Sequence, residues 1–135
     1  MVKLLGGNLT AFFIILSPQY HIIMEQITWQ DFEKVAIHVG TIIEVADFPK
    51  AKNPAYQLLI DFGPELGIKR SSAQITKLYT EEALMGKQVV AVVNFPVKQV
   101  ANFFSECLVL GVVGTDKEVV LLQPDRTVQN GLQVG

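Results

Sequence analysis

Residues 35–46 read VAIHVGTIIEVA, and this stretch decides the fold of the chain. Alternate residues from Val35 to Val45 fall on one face and all except Thr41 are apolar, a period of two that is typical of a β-strand. Gly40 lies in the middle of a run that is long for one strand. Because an internal glycine lets a strand bend around a small barrel, the stretch predicts a bent barrel strand.

Shorter stretches with a similar pattern follow, separated by turns that contain glycine and proline. They predict strands over residues 56–62, 68–73, 88–93, 106–113 and 119–122, with one helical stretch over 74–86 and a long connection over 94–105. Short strands with frequent turns indicate an all-β sandwich or barrel. The pattern gives five or six strands in all, and three strands, a helix and two further strands are the order of a five-stranded OB-fold barrel, with an SH3-like barrel as the alternative.

The barrel is expected to occupy residues 24–135 as one domain. Thr28 and Asp31 have the spacing of a capping box, which predicts a short helical turn ahead of the first strand. Residues 1–23 have a different character, and their apolar run is far shorter than the roughly 20 residues that span a bilayer. We interpret them as an extension from an upstream start codon, with an extra strand or arm as the alternative, and expect no membrane span.

The composition is apolar for a soluble domain: half of the residues are hydrophobic and only 18% are charged. A small barrel has little interior, so self-association into a homodimer or an apolar ligand groove is expected to cover the excess. The net charge of −2 excludes the basic bulk of a nucleic-acid coat protein, and leaves a local basic patch as the only route to such binding.

The chain carries no recognisable catalytic or metal-binding motif, so we expect neither an enzyme nor a cofactor. Cys107 is the single cysteine and lies in an apolar run, which indicates a buried thiol in the reducing cytoplasm. His21 and His38 have no partners in metal-ligand spacing. These features favour a binding protein over a catalyst.

Positive charge is concentrated between residues 50 and 77, which hold five bases and two acids, whereas the rest of the chain holds six bases and eleven acids. On an OB-type barrel the second and third strands and their loops form the usual ligand face. Hydroxyl and amide groups there can donate to phosphate oxygens or peptide carbonyls. The candidate binding residues for peptide or tRNA are Lys50, Lys52, Lys69, Arg70, Ser71, Ser72, Gln74 and Lys77. The alternative is a solvated hairpin whose serines cap the following turn.

Aromatic residues near the long connection form a second constellation. They either plug the barrel ends, as buried aromatics commonly do, or line an exposed apolar groove or a dimer interface. The candidates for this apolar surface are Tyr79, Asn94, Phe95, Phe103 and Phe104.

Several separate motifs recur in order along the chain: Asp31-Phe32-x-Lys34-Val35-x-Ile37-x-Val39-Gly40, Pro54-Ala55-Tyr56, Ile60-Asp61-Phe62-Gly63, Ser71-Ser72-Ala73-Gln74-Ile75-Thr76, Gly86-Lys87-Gln88-Val89, Val92-Val93-Asn94-Phe95-Pro96 and Leu108-Val109-Leu110-Gly111. From about Met24 to the end, this set resembles the CsaA group of the tRNA-binding-domain superfamily, which is also found appended to aminoacyl-tRNA synthetases.

The resemblance implies an OB-fold homodimer that acts as an export-related chaperone and holds unfolded or precursor polypeptides, with apolar pockets near the dimer interface. For the wider superfamily it implies binding of the tRNA backbone by shape and charge. The chain departs from the family pattern at His38 and Asn53, where members usually carry arginine and lysine, and at Val97, where a second proline is usual. Because phosphate binding depends on the number of cations, these losses weaken the tRNA interpretation more than the peptide interpretation.

Overall fold

The computed structural model describes residues 23–135, which divide after Glu33 into an amino-terminal unit and a second unit, residues 34–135. In the first unit, helix α1 (Trp29–Glu33) begins with the predicted capping box. Asp31 N donates to Thr28 Oγ1 (3.1 Å), and Thr28 N donates to Asp31 Oδ2 (3.0 Å). The predicted extension, residues 1–23, falls outside the described residues except for Ile23, and its boundary stays a prediction.

The second unit is built on a five-stranded antiparallel sheet with the order β3-β2-β1-β4-β7. Its strands are β1 (Ile37–Asp47), β2 (Tyr56–Asp61), β3 (Ile68–Ala73), β4 (Gln88–Val92) and β7 (Leu108–Val109). Two hairpins form separate two-stranded sheets: β5 (Lys98–Val100) pairs with β6 (Phe103–Ser105), and β8 (Gly111–Val113) pairs with β9 (Val119–Leu121). Short helices α2 (Gly63–Leu66) and α3 (Glu81–Leu84) follow β2 and β3. The prediction of an all-β, five-stranded, nearly closed barrel with one short helix before the fourth strand is confirmed.

Strand β1 crosses the barrel with a β-bulge in its second half. Its register against β2 shifts between Ile42 and Glu44, which leaves Ile43 unpaired. An extra residue of this kind bends a strand and moves the following side chains to the other face. Gly40 lies close to the neighbouring strand, since a Cβ there would lie 2.6 Å from Ile60 Cγ2. The glycine therefore permits close packing of β1 over β2.

The core lies between the inner faces of these strands. Strand β2 alternates strictly between buried and half-buried residues, as the sequence pattern predicts. The largest fully buried side chains are Phe62, Ile42, Leu58, Ile60, Leu84 and Val89.

The predicted helix over residues 74–86 is wrong in extent, because only Glu81–Leu84 is helical. Residues 76–78 form a turn, and tertiary hydrogen bonds fix the residue that follows it: Tyr56 Oη donates to Tyr79 O (2.9 Å), and Leu121 N donates to Tyr79 Oη (3.0 Å). Helix α3 then starts at Thr80, whose Oγ1 accepts a hydrogen bond from Ala83 N (3.1 Å).

The predicted strand over residues 106–113 is two strands that belong to different sheets. Leu110 lies between them: its N donates to Val90 O (2.9 Å), and its O accepts from Leu122 N (3.2 Å). The connection over residues 94–105 contains the hairpin β5–β6, which the sequence analysis did not predict. The first of these differences reflects a change of partner along a continuous apolar run.

Strand β2 pairs only with the second half of β1, from Thr41 to Asp47. Residues 128–134 cover the edge that this leaves free on the first half of β1, and we call this contact the main-chain seam. Val39 N donates to Leu132 O (3.0 Å), and Val39 O accepts from Gly131 N (2.7 Å). Gly131 has a φ of +94°, and a Cβ at this position would lie 2.5 Å from Phe62 O. Glycine is required here because the segment passes so close to a neighbouring carbonyl.

Polar side chains also hold the main-chain seam through hydrogen bonds. The Gln88 amide donates to Val128 O (2.8 Å) and accepts from Val128 N (3.0 Å). Asn130 Oδ1 accepts from Thr41 Oγ1 (2.7 Å) and from Gln88 Nε2 (3.1 Å). The polar side chains of β1 and β4 thus anchor the end of the chain.

Candidate binding groove

An open groove of about 730 Å³ lies beside the end of β3, the hairpin β5–β6 and the strands β7 and β8. Its wall is mainly apolar, with four uncharged polar side chains, one lysine and no acidic residue. The lining residues are Ser72, Ala73, Gln74, Ile75, Phe95, Pro96, Lys98, Gln99, Val100, Ser105, Cys107, Leu108, Val109, Leu110, Gly111, Val113 and Val119. Concave apolar surfaces with a few polar groups are the usual form of a ligand site.

Three of the predicted binding residues meet in this groove: Ser72, Gln74 and Phe95. Phe95 is 56% exposed, so it is a wall of the groove and not a plug of the barrel. Gln74 is also exposed and directly follows β3. The other ten predicted residues do not line the groove.

Arg70 belongs to a contact between β3 and residues 105–107, which we call the side-chain seam. Glu106 Oε1 accepts from Arg70 N (2.9 Å) and lies 3.3 Å from Arg70 Nε. The Arg70 guanidinium lies 5.6 Å from the centre of the Phe103 ring, which packs at 5.5 Å on Phe48. Arg70 and Phe103 therefore tie the hairpin β5–β6 to the barrel.

The hydrogen bond from the Arg70 backbone N–H is the main reason that the pKa of Glu106 is lowered from its ordinary value. Partial burial of the carboxyl acts in the opposite direction, and the Arg70 side chain adds to the lowering. Glu106 is thus a carboxylate at neutral pH and is committed to the seam.

Serine hydroxyls complete the side-chain seam. Ser71 is 1% exposed and its Oγ donates to Cys107 O (3.1 Å), to which Ser105 Oγ also donates (3.3 Å). Ser105 Oγ accepts from Ser72 N (3.1 Å). The prediction of Ser71 as a binding residue is therefore not supported by its position, since its hydroxyl is buried and satisfied.

Cys107 contributes to both the seam and the groove. Burial raises the pKa of its thiol to about 11, while the hydrogen bond with Ser71 acts in the opposite direction. The thiol is thus neutral near pH 7, as the apolar sequence context predicts. A neutral buried thiol is a poor nucleophile, so the groove wall carries no reactive cysteine.

The five predicted cations do not gather around the groove. Lys50 and Lys52 are exposed in the loop between β1 and β2. Lys69 and Arg70 are consecutive on β3, and successive strand residues point to opposite faces. Lys77 Nζ donates to the backbone carbonyl of Asp116. None of the five lines the groove.

Tyr79 and Asn94 hold the fold together and do not line the predicted apolar surface. Tyr79 packs against the core and bonds through its hydroxyl and carbonyl, as described above. Asn94 Oδ1 accepts from Ala36 N (3.0 Å), and Asn94 Nδ2 donates to Lys34 O (2.6 Å), which fixes the entry to β1. Phe104 is 45% exposed on β6, opposite Gln99, and also lies outside the groove lining.

Sequence reasoning missed the residues of the two hairpins, notably Lys98, Gln99, Val113 and Val119. The turn of β5–β6 contains Ala101 with a φ of +53°, where a glycine would have signalled a hairpin.

The outer face of the hairpin β8–β9 is a second apolar surface. Val112 and Val120 lie directly opposite each other and are 58% and 51% exposed. Leu122, which is 40% exposed, continues the same face two residues beyond Val120. We call this face the valine face.

A second concavity of about 600 Å³ is mostly polar and includes Lys87, Gln88, Gln123 and Arg126. Lys87 Nζ lies 3.4 Å from Gln123 Oε1. Within residues 23–135, no group of three or more His, Cys, Asp or Glu residues is placed to hold a metal ion. In the same part of the chain, no helix has the length and apolar character needed to cross a membrane.

Residues 37–133 match the family described as "Putative tRNA binding domain". The crystal structure of the chaperone CsaA from Bacillus anthracis str. Ames superposes with a TM-score of 0.78 at 50% identity, covering 82% of this chain and 100% of that one. The CsaA chaperone protein from Picrophilus torridus gives 0.76 at 51% identity with the same coverage. The chain is a CsaA-like member of the tRNA-binding-domain family. The predicted OB-type barrel is thereby confirmed over the SH3-like alternative.

Methionine–tRNA ligases share the same domain. The ligase of Pyrococcus horikoshii is 34% identical over 111 residues, which are 82% of this chain and 15% of the ligase. The ligase of Porphyromonas gingivalis (strain ATCC 33277) is 35% identical over 112 residues, or 83% of this chain and 16% of the ligase. This chain spans about 15% of the length of these curated relatives, so the similarity concerns one domain and not the whole ligase.

Proposed function

We propose that this chain is a cytoplasmic, export-related chaperone that holds unfolded or precursor polypeptides in the groove. The apolar wall of the groove, free of acidic residues, carries this proposal. Unfolded polypeptides expose apolar side chains, and burying one such side chain contributes about 1.5–3 kcal/mol. The likeness to two CsaA chaperones along the whole length of each supports the same function.

Uncharged polar groups give the groove a means of holding a main chain. Gln74 and Gln99 each carry an amide, and Ser72 carries a hydroxyl, along the apolar wall. Such groups donate to and accept from any peptide backbone, whatever its side chains. The combination suits binding of many sequences without turnover.

A homodimer would double the binding surface, and the valine face is our proposed contact. Its side chains are apolar and exposed in a single chain, and a second copy would cover them. Val112→Asp with Val120→Asp is expected to give a monomer in analytical ultracentrifugation, whereas the parent chain sediments as a dimer. A parent chain that sediments as a monomer would contradict this contact.

The chaperone proposal is tested by light scattering of a chemically denatured client diluted into buffer. An equimolar amount of the protein is expected to suppress aggregation, and Leu108→Gln is expected to weaken that suppression several-fold because Leu108 lines the groove. Ile68→Gln is the matched control, since Ile68 is 56% exposed on β3 and lies outside the groove. Aggregation that proceeds unchanged in the presence of the parent chain would refute the proposal.

Binding of tRNA is the second candidate, supported by the family match over residues 37–133. Lys50, Lys52 and Lys69 are the cations available for phosphate, since Arg70 is paired with Glu106. Neutralising phosphates releases counterions, so log affinity should fall linearly with log salt by about 0.7–0.9 per phosphate contacted. Affinity for tRNA that does not change between low and moderate salt would exclude this function.

A further inference from the structure

We infer that Lys98 makes the groove selective for apolar polypeptide segments that carry a carboxylate, an inference that rests on the peptide-binding function proposed above. Lys98 lies on β5 directly opposite Ser105 of β6, and both residues line the groove. Directly opposed residues of an antiparallel pair share one face. Lys98 is exposed, so its methylene stem extends the apolar wall while its ammonium stays accessible to a ligand.

Lys98 supplies the only charge among the described residues that line the groove. It forms no ion pair within residues 23–135, where the two ion pairs are Arg70–Glu106 and Arg126–Asp125. Glu106 is close in sequence to the lining residue Ser105, but its carboxylate accepts from Arg70 N and Nε. The cation of the groove is therefore left for an anion supplied by the ligand.

The thiol in the wall does not offset this charge. Cys107 keeps its proton near neutral pH because burial raises the pKa of the thiol to about 11. The remaining polar groups of the wall are amides and hydroxyls, which carry no net charge. The groove thus presents one positive charge next to an extended apolar surface.

A carboxylate fits this pattern better than a polyanion does. One lysine can pair with one acidic side chain while flanking apolar residues of the same segment contact the wall. A nucleic-acid backbone brings a phosphate at every nucleotide and needs several cations along its path, which this wall lacks. Lys98 is exposed and solvent screens the pair, so an acidic segment should bind only about two- to fivefold more tightly than its neutral counterpart.

Isothermal titration calorimetry with three synthetic peptides tests the inference on the full chain. The peptides share one apolar sequence and differ at a single central position, which is Glu, Gln or Lys. The parent chain is expected to bind the Glu peptide about two- to fivefold more tightly than the Gln peptide, and the Lys peptide least tightly. Lys98→Gln should bind the Glu and Gln peptides equally, and Lys98→Glu should reverse the order.

Lys87→Gln is the matched control, because it removes the same charge from a residue that lines the second concavity and not the groove. It is expected to keep the parent order of affinities. Equal affinity of the parent chain for all three peptides, or an unchanged preference in Lys98→Gln, would overturn the role of Lys98 and leave peptide binding intact. Failure of every peptide to bind would overturn both. Displacement of the Glu peptide by an RNA oligonucleotide, lost in Lys98→Glu, would reassign Lys98 to phosphate.

Discussion

The two seams of the barrel close it by different chemistry. In the main-chain seam, residues 128–134 join β1 mostly through backbone hydrogen bonds, and glycine at position 131 allows the close approach. In the side-chain seam, β3 meets residues 105–107 through one backbone bond, from Glu106 N to Arg70 O (2.8 Å), and otherwise through serine and glutamate side chains. The main-chain seam depends on the absence of a side chain at position 131. The side-chain seam depends on particular side chains, those of serine and glutamate.

Because side chains form the second seam, a polar residue on a strand there can serve to close the barrel and need not bind a ligand. A serine on β3 resembles a ligand-binding residue when only the sequence is known, yet the Ser71 hydroxyl serves the closure of the barrel together with that of Ser105 on β6. The groove lies directly beside this seam and shares Ser72, Ser105 and Cys107 with it. The side-chain seam therefore shapes the binding surface, while the main-chain seam stabilises the barrel at a distance from it.

Gly131→Ala should have the largest effect, because the new Cβ would clash with Phe62 O at 2.5 Å and φ is +94°. We expect a loss of about 3 kcal/mol in the free energy of unfolding, measured by urea denaturation. Gly67→Ala is the control, since Gly67 has a φ of +76° with nothing within 4 Å of an added Cβ, and should lose only about 1 kcal/mol. Equal losses of stability in the two variants would show that the cost comes from the positive φ alone and that the close approach to Phe62 O does not contribute.

Ser71→Ala should cost about 1 kcal/mol, because it removes a buried hydrogen bond to Cys107 O while Ser105 Oγ still donates to that carbonyl. Urea denaturation measures the loss, and the rate of Cys107 modification by a thiol reagent reports local opening of the seam. We expect modification to accelerate in Ser71→Ala under native conditions. A variant that unfolds at the parent urea midpoint and reacts at the parent rate would contradict the role assigned to the hydroxyl.

Glu106→Gln should have the smallest effect, below about 1 kcal/mol at neutral pH, since the ion pair with Arg70 is partly exposed. The pKa of Glu106 is lowered in the folded chain, so the charged carboxylate stabilises the fold above its ordinary pKa of 4.5. This contribution is lost as the pH falls through the folded pKa, which lies below 4.5. Urea midpoints of the parent and variant should therefore differ at pH 7 and converge in acid, and a difference that persists there would argue against the ion pair.

The strands were predictable where their partners are close in the chain. The alternation in β1, β2 and β3 indicates three strands, and the structure pairs them in sequence order. The bulge at Ile43 was not predictable, because the apolar pattern continues through it. The break at Leu110 was hidden for the same reason, since its partners on β4 and after β9 lie far along the chain.

The groove was predictable in part. The residues that could be assigned to it make no contact with a distant part of the chain that would bury them. Gln74 directly follows β3, Phe95 lies in the connection between β4 and β5, and both line the groove. Ser71 and Arg70 were not separable from ligand-binding residues, because their partners Cys107 and Glu106 lie 36 positions away. Lys98 was missed because the hairpin that carries it turns without glycine.

The single tryptophan of the chain lies in α1 and is 78% exposed. Intrinsic indole fluorescence therefore reports on the surroundings of this helix, with an emission close to that of indole in water. A partner that covers this helix would shift the emission to the blue, whereas events confined to the barrel would have to be followed through its tyrosines.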